Sequence, residues 1–291
     1  MFKGVGTAII TPFDDSYNVD YKALKNICRH QIDGGVDALV VLGTTGESPV
    51  INFEERKKII STVIEEVSGK AKIIIGTGTN DTNNVIQLNK NAEELGADGL
   101  LIVNPYYNKG TQASLISHFK FIADKTTLPI LLYNVPSRTG MNLMPETIVK
   151  ISEECPNVVG VKEACGNISQ IAHLMSIKPS NFLVFSGNDD QTLPIMALGG
   201  VGIISVFSNA YPNELKQITN AIFNKDYLLA QKLNNKYLSM MNALFVETSP
   251  MPLKYVMSKL GLCENILRLP LEPVTEKTEK FLDEEMKKIL S

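Results

Sequence analysis

Lys162 follows the apolar run Val158-Val159-Gly160-Val161 directly. A lysine that closes a buried strand carries a desolvation cost, and desolvation favours the neutral amine, the form that attacks a carbonyl to make a Schiff base. A structural ion pair with adjacent Glu163, or with another carboxylate, is the alternative reading of that position. Tyr133 ends the run Ile130–Tyr133, where a phenol can relay protons to and from carbon beside an imine, or can simply cap the core with its hydroxyl on backbone. Thr44 and Thr45 lie between Gly43 and Gly46, in a turn whose hydroxyls and N–H groups suit a carboxylate, or which is a plain glycine-rich turn. Arg138, within Pro136-Ser137-Arg138-Thr139-Gly140, offers a guanidinium that can grip a carboxylate through two hydrogen bonds, unless it is a solvated surface arginine.

These residues share a position in a rhythm. Short apolar runs recur at Val5–Ile10, Ala38–Leu42, Ile73–Ile75, Leu100–Val103, Ile130–Tyr133, Val158–Val161, Leu183–Phe185 and Ile203–Val206. Segments with helical spacing lie between them, for example Ile59, Ile60, Val63, Ile64 and Val67. Strand then helix, repeated eight times, implies parallel strands joined by crossover helices, and runs that are apolar throughout imply strands covered on both faces. The expected fold is an α/β (β/α)8 TIM barrel, with a doubly wound open sheet as the alternative. Ligands then meet the C-terminal strand ends, which is where Thr44, Thr45, Tyr133, Arg138 and Lys162 fall.

After about Tyr211 the rhythm stops. Glu214–Phe245 reads as one long amphipathic stretch, followed by a proline break at Ser249-Pro250-Met251-Pro252 and helical patterns over Leu253–Leu260 and Glu279–Leu290. The expected organisation is a catalytic barrel over 1–224 and a small C-terminal helical appendage over 225–291.

Other motifs carry less. Gly43–Ser48 lacks the Gly-Lys-Ser/Thr ending of a phosphate loop, and Gly76-Thr77-Gly78 lacks the third glycine of a dinucleotide fingerprint. Gly199-Gly200-Val201-Gly202 precedes the eighth run, at the wrong end for catalysis. His30, His118 and His173 all fall within helical patterns, so no metal site is expected at the mouth. With 28 Lys+Arg against 31 Asp+Glu, the balance does not point to nucleic acid. No apolar run has the length of a membrane helix. The opening Met1–Val5 shows no leader pattern and the four cysteines show no CxxC spacing, so a cytoplasmic protein with reduced thiols is expected.

Gly43-Thr44-Thr45-Gly46-Glu47, Tyr133–Gly140 and Gly160-Val161-Lys162-Glu163 together resemble the dihydrodipicolinate synthase / N-acetylneuraminate lyase family, and the likeness extends over essentially the whole chain. Arg138 resembles the synthase branch, since the sialate lyases have no arginine there. The resemblance implies a Schiff-base condensation of pyruvate with L-aspartate-4-semialdehyde in lysine and diaminopimelate biosynthesis. Lys162 would form the imine, so no metal or organic cofactor would be required. Thr45 and the backbone near Ile204 would hold the pyruvate carboxylate beside Gly187. Tyr133 would move protons, linked through Thr44 to Tyr107, and Arg138 would bind the carboxylate of the second substrate. Tyr107 would reach a neighbouring subunit's site, which implies a homo-oligomer, usually a dimer of dimers.

The resemblance also bears on regulation. Lysine-inhibited relatives bind lysine with residues matching Ser48, Asn80 and Tyr106, have Glu where this chain has Asn84, and often have His where it has Phe53 and Arg56. Weak or absent lysine feedback is therefore expected. A related keto-acid lyase acting on sialate or 2-keto-3-deoxygluconate is the nearest alternative function. A non-catalytic barrel that binds a keto acid is the alternative from a different class, and a phosphate-binding barrel enzyme lacks the glycine-rich loop it would need after strands 7 and 8.

Overall fold

The computed structural model describes residues 1–290. Its strands are β1 (Gly4–Ala8), β2 (Ala38–Val41), β3 (Lys72–Gly76), β4 (Gly99–Val103), β5 (Ile130–Asn134), β6 (Val158–Glu163), β7 (Leu183–Ser186) and β8 (Gly202–Ser205). All pair in parallel with their sequence neighbours, and β8 returns to β1 from Gly4↔Gly202 to Thr7↔Ser205, closing the barrel. The closed (β/α)8 architecture expected from the eight runs is the one observed, and the open sheet is not. Gly202 sits at the closing seam with a left-handed φ of 153°, where a Cβ would run into the Gly4 carbonyl.

The helices are α1 (Tyr21–Asp33), α2 (Phe53–Val67), α3 (Thr82–Glu94), α4 (Gln112–Ala123), the single turn α5 (Pro136–Thr139), α6 (Pro145–Glu154), α7 (Ile168–Ile177), α8 (Thr192–Ala197), α9 (Pro212–Phe223), α10 (Tyr227–Ala243), α11 (Met251–Lys259) and α12 (Glu276–Leu290). Polar side chains fix many of their starts. Asp20, Asn52, Asp81, Thr111, Asn167 and Asp226 each accept a hydrogen bond from the N–H of the first turn, and Asn52 forms a reciprocal capping box with Glu55. Each such cap contributes about 1 kcal/mol.

Strand side chains alternate between two cores, as period-two geometry requires. Val40, Ile74, Leu101, Leu131, Phe185 and Ile204 fill the barrel interior, whereas Leu39, Val41, Ile75, Ile102, Leu132 and Val161 pack under the helices. On β6 this parity sends Lys162 inward and Glu163 outward.

The amphipathic stretch Glu214–Phe245 is divided between two helices. It breaks between α9 and α10, where Lys225 takes a left-handed φ of 62°. Proline also does less than the sequence suggested at the next break: Met251 and Pro252 open α11, since the first helical turn has no need of the missing N–H. Helix α10 packs against α9 and against the turn after β7, α11 meets the turn after β8, and α12 covers α10 and α11. The C-terminal helices therefore flank the end of the barrel at which the site residues emerge. Ser291, the last residue of the expected 225–291 region, lies outside the described residues.

Candidate active site

At the C-terminal strand ends a cavity of about 520 Å³ is bordered by Thr44, Thr45, Tyr133, Arg138, Lys162 and Gly187. Six of the eight residues singled out from sequence thus meet at one space, although more than 140 positions separate the first from the last.

Lys162 is 4% exposed, and its Nζ lies 4.5 Å from the centre of the Tyr133 ring. Pairing of β5 with β6 sets this contact, because Tyr133 and Lys162 are register partners. No carboxylate forms an ion pair with Lys162 among the described residues. The proposed structural partner, Glu163, points the other way: Asn134 Nδ2 donates to its Oε1 at 2.9 Å, and Cys165 N donates to its Oε2 at 3.4 Å. Burial pushes the Glu163 carboxyl up from the ordinary range against these hydrogen bonds. The ion-pair reading of Lys162 thereby loses its nearest partner, and a buried amine is left beside a phenol on an open cavity.

Thr44 and Thr45 occupy a single 3-10 turn, Thr44–Gly46, which ends at Glu47 in the left-handed region. Thr11 at the end of β1 donates from Oγ1 to Gly46 O at 2.7 Å and ties this turn to the neighbouring strand. Gly187 donates its N–H to Glu163 O at 2.7 Å, so close to β6 that a Cβ would lie 2.7 Å from Ala164 Cβ. Only glycine fits there. Arg138 lies on α5, exposed, and donates from Nη2 to Ser249 O at 3.0 Å.

Two expected residues sit apart from the cavity lining. The Ile204 side chain is fully buried in the barrel interior with Tyr133 and Phe185. Tyr107 is 91% exposed, with φ 69°, in the loop after β4.

Other residues, assigned no part in the reaction from sequence, support the site. Asp189, just after β7, accepts from Ser205 Oγ at 2.5 Å and from the N–H groups of Val206 and Phe207 at 3.1 Å, and so fixes the turn after β8. Burial raises the Asp189 carboxyl, while those hydrogen bonds and the charge of Lys162 pull it down. Asn104, Asn134 and Glu163 form a buried chain of hydrogen bonds across the ends of β4, β5 and β6. Their only sequence signal is that each is a polar residue placed just where an apolar run stops.

The most remote support comes from the C-terminal region. Lys254, fully buried on α11, holds its Nζ 2.5 Å from Oε1 of Glu47, which is itself 3% exposed. Charge holds this pair, and the ammonium also donates to Ile266 O at 2.7 Å. Burial pulls the Lys254 ammonium below its usual range, partly offset by Glu47. Arg268 N–H donates to Glu47 Oε2 at 3.1 Å, and its guanidinium pairs with Glu55 at 2.6 Å. Phe13 lies under both cations, 4.1 Å from Lys254 Nζ and 4.5 Å from the Arg268 guanidinium.

A second cavity, about 350 Å³, is bordered by Ser48, Phe53, Arg56, Asn80, Asn84 and Tyr106. Arg56 is 6% exposed and donates to Gly76 O at 2.7 Å, and burial lowers its guanidinium to about 10. Among the described residues no group of three or more His, Cys, Asp or Glu is gathered that could hold a metal ion, and no helix is long and apolar enough to cross a membrane.

A barrel whose strand ends bring a buried lysine, unpaired among the described residues, and a phenol to one cavity belongs to the barrel enzymes. Comparison with known proteins narrows the class. The model of the dihydrodipicolinate synthetase family matches residues 1–289, and the chain belongs to that family. The 4-hydroxy-tetrahydrodipicolinate synthase of Thermotoga neapolitana is 48% identical over 285 residues, covering 97% of each chain. The crystal structure of dihydrodipicolinate synthase from Thermotoga maritima superposes with a TM-score of 0.98 at 46% identity, covering 99% of both chains. The chloride-inhibited dihydrodipicolinate synthase of Acinetobacter baumannii, solved in complex with pyruvate, superposes with a TM-score of 0.97 at 38% identity, again over 99% of both.

Proposed function

We propose that this enzyme condenses pyruvate with L-aspartate-4-semialdehyde, the 4-hydroxy-tetrahydrodipicolinate synthase reaction, through a Schiff base on Lys162. The observation that carries the reading is the buried Lys162 amine, unpaired among the described residues and 4.5 Å from the Tyr133 ring, on a cavity large enough for two small acids. Relatives named for this reaction, at 48% identity over nearly the full length, support it.

In this mechanism the Lys162 amine adds to the keto carbon of pyruvate and water leaves, giving an imine. Thr45 and the backbone near Ile204 hold the pyruvate carboxylate, and Gly187 leaves room beside it. The imine makes the methyl group acidic. Tyr133, relayed through Thr44 and Tyr107, takes a methyl proton, and the resulting enamine attacks the aldehyde carbon of the acceptor, whose carboxylate rests on Arg138. The acceptor's amino group then displaces the lysine nitrogen, which releases the cyclic product and restores the free amine. Lys162 is the electron sink, so these steps use neither a metal nor an organic cofactor.

Tyr107 stands exposed at the surface, placed to reach a second copy of the chain, and we assign the working form as a homo-oligomer, a dimer of dimers. The four cysteines are unpaired, which fits a reduced, cytoplasmic setting.

The test is turnover. Pyruvate should be consumed only when aspartate semialdehyde is added, with the cyclic product identified by mass. Consumption or release of pyruvate with a sugar-derived aldehyde, and none with the semialdehyde, would favour the sialate or 2-keto-3-deoxygluconate type of lyase.

Lysine should be a poor inhibitor. The second cavity gathers Ser48, Asn80 and Tyr106, but it holds Asn84 in place of a carboxylate and adds the cationic Arg56. Loss of one charge-assisted contact lowers affinity roughly 10- to 100-fold. Steady-state rates should therefore show no half-inhibition at submillimolar lysine, and finding it would contradict the assignment.

A further inference from the structure

The active-site cavity has two chemically different ends. Its inner end carries Lys162, Tyr133, Thr45 and Gly187, which act on the keto acid in the function proposed above. Its outer wall is the segment linking α10 to α11, Phe245–Ser249. Glu247 lies in that wall and is the single acidic residue bordering the cavity among the described residues. Arg138 is fixed to the same segment by its hydrogen bond to Ser249 O at 3.0 Å, two residues further along. The two groups of opposite charge form no ion pair with each other among the described residues.

Glu247 is also held in place. Thr275, just ahead of α12, donates to Glu247 Oε1 from its N–H at 3.2 Å and from its hydroxyl at 2.9 Å. These bonds and one from Thr278 keep the carboxyl below its usual range, so it is ionised at neutral pH. Packing against α12 thus holds an anionic residue on the cavity wall that Arg138 also lines, with no ion pair between the two among the described residues.

Such a rim complements a zwitterion. An acceptor that carried only a carboxylate would be served by Arg138 alone and would meet repulsion from Glu247. An α-amino acid offers an ammonium on the carbon next to its carboxylate. We infer that Glu247 is the residue that selects an amino-acid aldehyde as acceptor, by receiving its ammonium group while Arg138 takes its carboxylate. This deepens the proposed function and rests on it. It also assigns a role to the C-terminal helices, since α12 orients the selecting group.

The experiment compares KM for aspartate semialdehyde with Ki for succinic semialdehyde, which lacks the amino group and so binds without displacing Lys162, in the unaltered chain, in Glu247→Gln and in Glu247→Asp. Glutamine keeps the size of the side chain and an oxygen for Thr275 but removes the charge. Reductive trapping of pyruvate on each variant checks that the inner end is intact. The unaltered chain should prefer aspartate semialdehyde. Glu247→Gln should lower that preference at least about tenfold, as expected for loss of a charge-assisted contact, through loss on the amino-bearing acceptor alone. Glu247→Asp should recover part of it. An unchanged preference, or a parallel weakening for both aldehydes, would overturn the inference and leave Glu247 a wall-building residue. If the unaltered chain traps pyruvate but does not turn over aspartate semialdehyde, the proposed function falls, and this inference with it.

Discussion

Lys162→Ala is expected to abolish turnover, lowering kcat on the order of 10⁴-fold or more, the loss seen when a covalent nucleophile is removed from a site that keeps its other groups. The chemistry explains the size. Without the amine there is no imine, so the methyl group of pyruvate loses the electron sink that makes it acidic, and neither Tyr133 nor Arg138 can replace it. Lys162→Arg should be equally inactive, because a guanidinium remains charged and cannot form the imine. Both variants should fold. Lys162 makes no ion pair among the described residues and borders a cavity, and buried Asp189, which feels its charge, keeps its hydrogen bonds from Ser205, Val206 and Phe207. Circular dichroism and thermal unfolding close to those of the unaltered chain, together with loss of the rate, is the expected combination. Substantial turnover by Lys162→Ala would remove the lysine from the mechanism.

Lys254→Ala is expected to cost about 3–5 kcal/mol of stability, because it leaves Glu47 as an uncompensated charge in the interior. Glu47 is 3% exposed, and Lys254 is its one ion-pair partner among the described residues, with Arg268 contributing a backbone N–H and the more distant charge of its guanidinium. The ammonium also satisfies the Ile266 carbonyl and lies over Phe13, so several groups lose a partner together. Removing both charges should be much milder: Lys254→Met with Glu47→Gln should regain most of the loss, since the cost lies in the unpaired charge rather than in the missing attraction. Glu47 ends the turn that carries Thr44 and Thr45, so the single variant should also raise the KM for pyruvate. Urea unfolding checks the stability, and a change below about 1 kcal/mol would mean that water or a rearranged neighbour reaches Glu47.

The ordering of these two effects reflects what a sequence can and cannot reveal. Lys162 was legible because its neighbours are local: four apolar residues announce a strand, and parallel-barrel geometry dictates what the next position does. Tyr133, Thr44, Thr45 and Arg138 were legible for the same reason, and barrel closure brought all of them to one cavity. The Glu47–Lys254 pair was not. Its members are about two hundred residues apart, and nothing local to either marks it as half of a buried pair. Asp189 and the chain of Asn104, Asn134 and Glu163 were visible only as polar residues after strands, because their roles depend on which neighbouring turn they face. The break between α9 and α10 lies beside the division expected at 224/225, though hydrophobic spacing alone does not mark it. Apolar residues continue in helical spacing through Asn224-Lys225-Asp226, and only the left-handed Lys225 with the Asp226 cap divides the stretch. Tyr107 shows a different limit: its exposure in one chain has meaning only beside a second.

The most direct test of the account is borohydride reduction in the presence of pyruvate, followed by peptide mass mapping. One reduced pyruvate per chain is expected, on the peptide containing Lys162, and no adduct in Lys162→Ala. A folded protein that yields no adduct, or an adduct on a different lysine, would contradict the Schiff-base mechanism; the former result would favour a barrel that binds a keto acid without reacting with it.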